Sequence, residues 1–483
     1  MLVLAIDQGT TNTKALVFDL AGRIVGQSSA SCRTEYPKPG WAEQSAVEIW
    51  TSTQRVIAEA CAGIETDIAT IGITNQRETL VVWDAETGDP VGPAPIWQCR
   101  RTTEACAELI VAGHSDEVAG LTGLGINPLF PASKLTWILE HRDAARQLHA
   151  AGRLRAGTVD AWLLWNLTAG DAFATDHSNA SRTLLFDTDR LAWSPRLGEI
   201  LGAPLDCLPR PMASDARFGE TADGVTALPQ GVPVHAMMGD SHAALYGHGV
   251  REPGRVKATY GTGSSLMTLT DTRTASRNGL SGTIAWTAGD QTAHALEGNI
   301  TVSAQAAAFM AEIMGVSDAG ALSDLAQQAQ DSGGVQFVPA LAGLGAPYWN
   351  DSARGTVSGL SLGTTRAELA RATFDAIAHQ SADVFEAMEE DLRQPLQGLS
   401  ADGGASANPF LMQVQADLLG KPVERLAIPE TGAFGVAWMS AKAAGLPVSF
   451  DRTETQMFRP TLADTDRSAS RGAWRETVQR LLG

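Results

Sequence analysis

The chain has no run of about 18 apolar residues, so it contains nothing that reads as a membrane-spanning helix. Cysteine is scarce: Cys32, Cys61, Cys99, Cys106 and Cys207 are scattered and odd in number, and none stands in a Cys-x-x-Cys pair. That argues against a zinc site or a disulfide framework, and for reduced thiols in a cytoplasmic enzyme. Positive charge is in deficit. Thirty-six Lys and Arg face 54 Asp and Glu, a formal net charge of −18, which opposes any broad surface for nucleic acid or anionic membrane. A single nucleotide is not excluded, because one local set of donors and a metal ion overcomes a global charge. The beginning carries no basic leader or cleavage site and reads at once as a strand. Low-complexity segments and short-period repeats are also absent.

At 483 residues the chain is too long for one core and implies at least two domains. It is 44% hydrophobic and 19% charged, the composition of an ordinary soluble globular protein. One pattern occurs twice. The apolar run Leu2 to Ile6 leads into Asp7-Gln8-Gly9-Thr10-Thr11 and then into Ala15 to Phe18. Val256 to Thr259 leads into Tyr260-Gly261-Thr262-Gly263 and then into Leu266 to Leu269. Each reads as strand, glycine turn, strand, either an ordinary hairpin or a phosphate cradle. Glycine admits close approach to a phosphate, and threonine hydroxyls and backbone N–H groups supply donors. Asp7 at the first turn suits a magnesium ion held partly through water. Two such turns, one near the start of each half, imply two related lobes holding a nucleotide's phosphates.

Between the hairpins, strands and helices alternate, so ligand groups are expected at strand ends. Glu48 to Ala62 reads as a helix, Ile68 to Thr74 as a strand delivering Asn75-Gln76-Arg77-Glu78, and Ile96 to Arg101 as another strand end. Further on, Val302 to Met314, Arg366 to Arg393 and Gly472 to Leu482 read as helices. Arg77 beside Glu78 is either a structural ion pair or a donor and acceptor for a polyhydroxylated ligand. Trp97 packs on the carbons of such a ligand or simply fills a core. Asp240, after the apolar Val234 to Met238 and Gly239, is either a helix N-cap or a base that takes a proton from an attacking hydroxyl. His242 carries a weaker version of that signal. Asp402-Gly403-Gly404-Ala405-Ser406-Ala407-Asn408, ahead of the helix Pro409 to Leu419, offers a glycine platform for a flat ligand, with Asn408 within reach of a sugar or base edge.

These residues resemble the FGGY carbohydrate kinases, most of all their glycerol kinase branch. The likeness runs over residues 1 to 445 through DQGTT at 7–11, YPKPGW at 36–41, GITNQRET at 72–79, WQCRRT at 97–102 and GTVDAWLLW at 157–165. It continues through NASRT at 179–183, YGTG at 260–263, GLGAPYW at 343–349, DGGASAN at 402–408 and FLMQ at 410–413, and Gly355 to Asp375 fits a long family signature. The resemblance implies an α/β fold of two ribonuclease H-like (actin-like) lobes with an interlobe cleft. The domains would be an N-terminal lobe at 1–245, a C-terminal lobe at 246–445 and a tail at 446–483 packed on the second lobe. ATP and Mg2+ are the implied cofactors, and a homodimer or homotetramer the implied assembly. By the same resemblance Asp240 is the general base, Arg77 and Glu78 hold the acceptor's hydroxyls, and Trp97 packs on its carbons. Asp7 organises the metal; Thr10, Thr11, Thr262 and Gly263 meet phosphates; Gly404 and Asn408 contact adenosine.

The chain departs from that branch at the acceptor. Leu129, Ser241 and Ser265 stand where Tyr, Gln and Phe are expected, although Lys134 and Trp137 of the same signature remain. Smaller side chains enlarge the pocket and remove donors, which leaves glycerol as the default acceptor and a four- or five-carbon polyol or ketose as the alternative. Ala304 and Ala308 replace an expected Gly and Gln on the nucleotide side. Residues 219–233 lack the glycine-rich loop of regulated bacterial members. An actin-like ATPase without a small acceptor is the reading from another class, but it has no use for Arg77, Glu78 and Trp97. A catalytically idle sensor is opposed by Asp7, Asp240 and Thr262.

Overall fold

The computed structural model describes residues 1–428, 430–449 and 455–483. Strand β1 (Leu2–Gln8) is apolar and buried along nearly its whole length, the mark of a strand covered on both faces. It pairs antiparallel with β2 (Asn12–Phe18), which pairs with β3 (Ile24–Ser31), an edge strand that is mostly polar and exposed. On the other side β1 runs parallel to β4 (Ile68–Asn75). Beyond β5 (Gly219–Glu220), β6 (Pro233–Gly239) lies parallel to β4, and the sheet order is β5-β6-β4-β1-β2-β3.

The second half repeats this plan. Strand β7 (Arg255–Tyr260) pairs antiparallel with β8 (Ser264–Thr270), which neighbours β9 (Gln291–Ile300). On its other side β7 runs parallel to β10 (Gly398–Asp402), which runs parallel to β11 (Val423–Leu426), with β12 (Thr455–Phe458) antiparallel at the edge. In both halves a first strand pairs antiparallel with the next and, on its other side, begins a parallel run of three, β1-β4-β6 and β7-β10-β11. The fold is thus a pair of ribonuclease H-like, actin-like lobes.

Helices form where the apolar period and the caps agree. Ala46–Ala60 is capped by Ser45, whose hydroxyl accepts the Glu48 N–H, and buries Ile49, Thr53, Val56, Ile57 and Ala60. Arg366–Leu392 opens with a reciprocal Thr365–Glu368 capping box. The strand expected near Ile96 is only Ala94–Pro95, because Pro93 and Pro95 deny the ladder two donors and Ile96 to Arg101 turns instead. The last helix starts earlier than its apolar pattern suggests, at Asp464, where Asp464 and Asp466 favour the helix N-terminus.

The compact units are discontinuous, unlike a linear division at 245 and 445. The first comprises Met1–Gly249, Gly282–His294 and Thr431–Asp451; the second takes Val250–Ser281, Ala295–Glu430 and Arg452–Gly483. The tail assigned to 446–483 spans residues 450–454, which lie outside the described residues. Within the first unit, helix Thr431–Ala443 seats itself on helix Asp240–Gly247 through glycines. A Cβ on Gly435 would lie 1.9 Å from the Ala243 oxygen and one on Gly247 2.3 Å from the Thr431 oxygen, so backbones touch only because side chains are absent. Within the second unit, helix Asp464–Leu482 is held to helix Arg366–Leu392 by Arg471. Its guanidinium donates to Asp383 at 2.6 Å and to Glu386 at 2.8 Å, while Trp474 donates to Asp383 and stacks on His379. Asp383 sits in what reads from the sequence as the polar half of its helix, yet it is buried under this network.

Candidate active site

Three parallel strands of the first unit end at one level, since Gln8 and Gly239 both register with Asn75. Arg77, Glu78 and Asp240 lie just past those ends, where α/β sheets collect ligand groups. Gly239 is the N-cap of helix Asp240–Gly247, so Asp240 is its first helical residue and its carboxylate is not spent on the cap. Asp240 is half exposed. Its Oδ1 accepts from the Ser241 N–H at 2.6 Å and from Arg77 Nε at 3.0 Å. Arg77 also donates to Ser241 Oγ at 3.2 Å, so one buried guanidinium orients both residues.

Arg77 and Glu78 each find a partner other than their neighbour. Glu78 has a φ of +60°, which turns it out of line with Arg77, and its Oε1 accepts from buried Arg182 at 2.7 Å. Beneath it, Lys134 Nζ donates to the Glu78 carbonyl at 3.0 Å and to the Leu129 carbonyl at 2.7 Å. Burial pushes the Lys134 ammonium down to about 7, against the opposing pull of Cys99 and Glu78. Leu129 is half-buried and Ser241 buried. Arg182 and Lys134 acquire their roles through tertiary contact. The sequence marks them only as motif members, Lys134 in the signature that includes Trp137 and Arg182 in NASRT at 179–183.

Asp7 is half-buried at the end of β1 and lies opposite Lys14 in the register. The turn beyond closes through Gly9 N–H to the Asn12 oxygen at 2.9 Å. Thr10 faces the protein: its hydroxyl accepts from Trp97 Nε1 at 2.8 Å and donates to Gln76 Oε1 at 3.3 Å. Thr11 is exposed. Trp97 is half-buried, and its indole nitrogen is committed to Thr10. His242 is buried and bonded to Thr283, the place of a core histidine.

In the second unit the hairpin is held mainly by backbone. Thr262 oxygen accepts from Ser303 N–H at 2.9 Å and Gly261 oxygen from Ala304 N–H at 3.1 Å. Thr262 is exposed, and a Cβ on Gly263 would lie 2.4 Å from the Ile300 oxygen. Ser265 Oγ donates to buried Glu297 at 2.9 Å. Asp402 registers one place from the hairpin, opposite Thr259. Gly403, at φ +86°, packs under Tyr260, whereas a Cβ on Gly404 would meet nothing within 4 Å. Asn408 caps helix Pro409–Leu419, its Oδ1 accepting the Phe410 N–H at 3.0 Å. No helix among the described residues is long and apolar enough to cross a membrane.

Residues 2–247 match the family model described as the N-terminal domain of the FGGY family of carbohydrate kinases, and residues 256–444 match its C-terminal domain. The whole chain is 46% identical to a glycerol kinase of Symbiobacterium thermophilum, covering 98% of it, and 42% identical to glycerol kinase 2 of Thermotoga maritima, covering 99%. Among solved structures, the Plasmodium falciparum glycerol kinase with ADP superposes with a TM-score of 0.94 at 29% identity, over 100% of this chain and 98% of that one. A xylulose kinase from Lactobacillus acidophilus reaches 0.89 at 19% identity over 100% and 98%, a likeness of fold alone.

Proposed function

The chain belongs to the FGGY family of carbohydrate kinases and is an ATP-dependent phosphotransferase with an alcohol acceptor; we propose glycerol as that acceptor and Asp240 as the general base. The observation that carries this reading is the Asp240 carboxylate, excused from capping, fixed by Arg77 through Oδ1 and half open to an incoming hydroxyl. A hydroxyl proton passes to Asp240 as its oxygen bonds to the γ-phosphorus of ATP and the bond from that phosphorus to the β,γ-bridging oxygen breaks, releasing ADP. Arg77 donates to acceptor hydroxyls and Glu78, steadied by Arg182, accepts from them, so a polyol is held at both polarities.

ATP supplies the γ-phosphoryl group. Thr11, Thr262 and Gly263 present hydroxyl or backbone donors to phosphates, and Gly404 and Asn408 flank the nucleoside. Asp7 fits Mg2+, which takes one or two carboxylates and keeps several waters; no cluster of three or more metal-ligating side chains occurs among the described residues. Bound there, Mg2+ would neutralise phosphate charge. Free thiols at all five cysteines fit a reducing cytoplasm. Exposed Leu360 and Leu362 are compatible with a homodimer or homotetramer, for which sedimentation velocity is the test.

A second reading, a four- or five-carbon polyol or ketose, is favoured by Leu129, Ser241 and Ser265, each smaller than the Tyr, Gln and Phe expected there, and by the two serine hydroxyls, which already serve Arg77 and Glu297. ATP-coupled turnover with glycerol, erythritol, xylitol and a pentulose decides between the two. A higher kcat/KM for glycerol than for every larger substrate retires the second reading, and no glycerol turnover retires the first.

A further inference from the structure

Gln76 lies between the two features on which the first unit's chemistry depends. It follows strand β4 directly and precedes Arg77 and Glu78, yet it is 1% exposed and faces the phosphate hairpin. Its carboxamide is saturated. Oε1 accepts from Thr10 Oγ1 at 3.3 Å and Thr79 Oγ1 at 2.9 Å; Nε2 donates to Gln8 Oε1 at 3.0 Å and Gln44 Oε1 at 2.8 Å. Its backbone N–H donates to the Gln8 oxygen at 2.6 Å. Gln44 closes the ring by donating to the Thr10 carbonyl at 2.6 Å, and Trp97 adds its indole N–H to the Thr10 hydroxyl. Only a side chain with two donors and two acceptors in one plane satisfies these partners. Burial raises the stakes, since any partner left without its bond loses water as well as protein.

We propose that Gln76 is a positioning residue for phosphoryl transfer, fixing the phosphate hairpin and Trp97 relative to Arg77 and Glu78 through the hydroxyl of Thr10. The Thr10 hydroxyl is then consumed inside the protein, and the hairpin meets a phosphate with its backbone and Thr11. The inference rests on the reading that this hairpin serves the phosphates of ATP.

Steady-state kinetics on the full-length enzyme test it, with thermal melts confirming the folded state. Gln76→Met keeps length and removes all four bonds. It should lower kcat at least tenfold and raise the KM for both ATP and acceptor at least threefold in folded protein. Thr10→Val should reproduce much of that loss and Thr10→Ser should stay within twofold of wild type. The Gln76→Met, Thr10→Val pair should be no worse than the more damaging single change. A Gln76→Met protein with a lower Tm but kcat and both KM values within twofold of wild type overturns the proposal, as does a multiplicative double variant. If Gln76→Met does not fold, the Val and Ser versions of Thr10 decide alone, and equal activity in both is fatal. A wild type that phosphorylates no polyol overturns the kinase reading and this inference together; an active wild type with unaltered variants overturns the inference alone.

Discussion

The two lobes share a strand order but secure their hairpins by opposite means. The first hairpin is tied from below by side chains: Gln76, Gln44 and Trp97 converge on Thr10, and Gln8 accepts from Gln76. The second is tied by backbone, with Thr262 and Gly261 carbonyls engaging the start of helix Ala304–Met314. The parallel strand beside each hairpin differs in the same sense. Strand β4 leads into the charged side chains of Arg77 and Glu78, whereas β10, which closes on Asp402, leads into Gly403 and Gly404, which have no side chains. The duplicated scaffold thus presents charged side chains past one strand end and bare backbone past the other.

The sharpest way to break this comparison is Asp240→Asn. The amide keeps the shape but cannot take the proton, so kcat should fall by about two to four powers of ten. ATP affinity should change little if the nucleotide is the second lobe's task. Equilibrium ATP binding and kcat measured on one preparation check this, and retention of wild-type turnover would move the base elsewhere. Next in size is Arg182→Met, which leaves buried Glu78 without its partner. Breaking a buried ion pair costs about 3–5 kcal/mol, so Tm should drop clearly and acceptor KM should rise more than ATP KM. Equal increases in both would deny Glu78 an acceptor role.

In the second lobe the corresponding test is a methyl group. Gly403→Ala places a Cβ 2.6 Å from the Tyr260 oxygen at a left-handed φ, a strain of about 1–3 kcal/mol borne directly by the hairpin. ATP KM should rise about tenfold with acceptor KM unmoved. Gly404→Ala meets open space and should leave Tm unchanged. A loss of stability there would show that the second turn is more constrained than its contacts indicate. The acceptor comes next. Leu129→Tyr with Ser241→Gln and Ser265→Phe restores bulk and hydrogen-bonding capacity worth about 1–3 kcal/mol of discrimination, and should raise the ratio of kcat/KM for glycerol over xylitol about ten- to a hundredfold. A micromolar glycerol KM in the unmodified enzyme would remove the reason for the change.

Much of this was legible in the sequence because the information is local. Both glycine hairpins, the strand ending at Asn75 and the helix Pro409–Leu419 follow from apolar runs bounded by Gly and Pro. The duplication shows in the spacing of two turns, and the kinase family in the motifs around them. Arg77 and Asp240 stand out because strand ends attract function, but their bond to one another does not, since 163 residues separate them. Arg182, Lys134 and Gln76 are visible as motif members, but their partners are not, for the same reason: each owes its role to groups brought up by the fold. Asp383 and Arg471 are not legible as a buried pair, because the charged half of a helix reads as solvated until a second helix covers it. The interleaving of units escaped as well, resting on glycine contacts between helices far apart in the chain.

Two buried carboxylates, one per lobe, give the finest test of the contrast. Asp160 lies in the first lobe and accepts from neutral donors, Thr158 Oγ1 at 2.5 Å, Thr175 Oγ1 at 2.6 Å and the Ala161 N–H. Burial, with Asp176 nearby, raises its pKa from 3.8 to about 6. Between those values the native state binds more protons than the unfolded chain, so stability falls as pH rises through the window, by roughly 2–3 kcal/mol in all. Asp160→Asn removes that charge while a hydroxyl can reverse its role to accept from the new amide. Urea unfolding should therefore show the variant gaining on wild type from pH 4.5 to pH 7.5. Asp383 in the second lobe is equally buried but holds Arg471 at 2.6 Å. Asp383→Asn removes one of the two carboxylates that hold the Arg471 guanidinium, so at pH 7.5 it should destabilise where Asp160→Asn stabilises. Two Asp→Asn changes of the same sign at that pH would mean that the lobes manage buried charge alike.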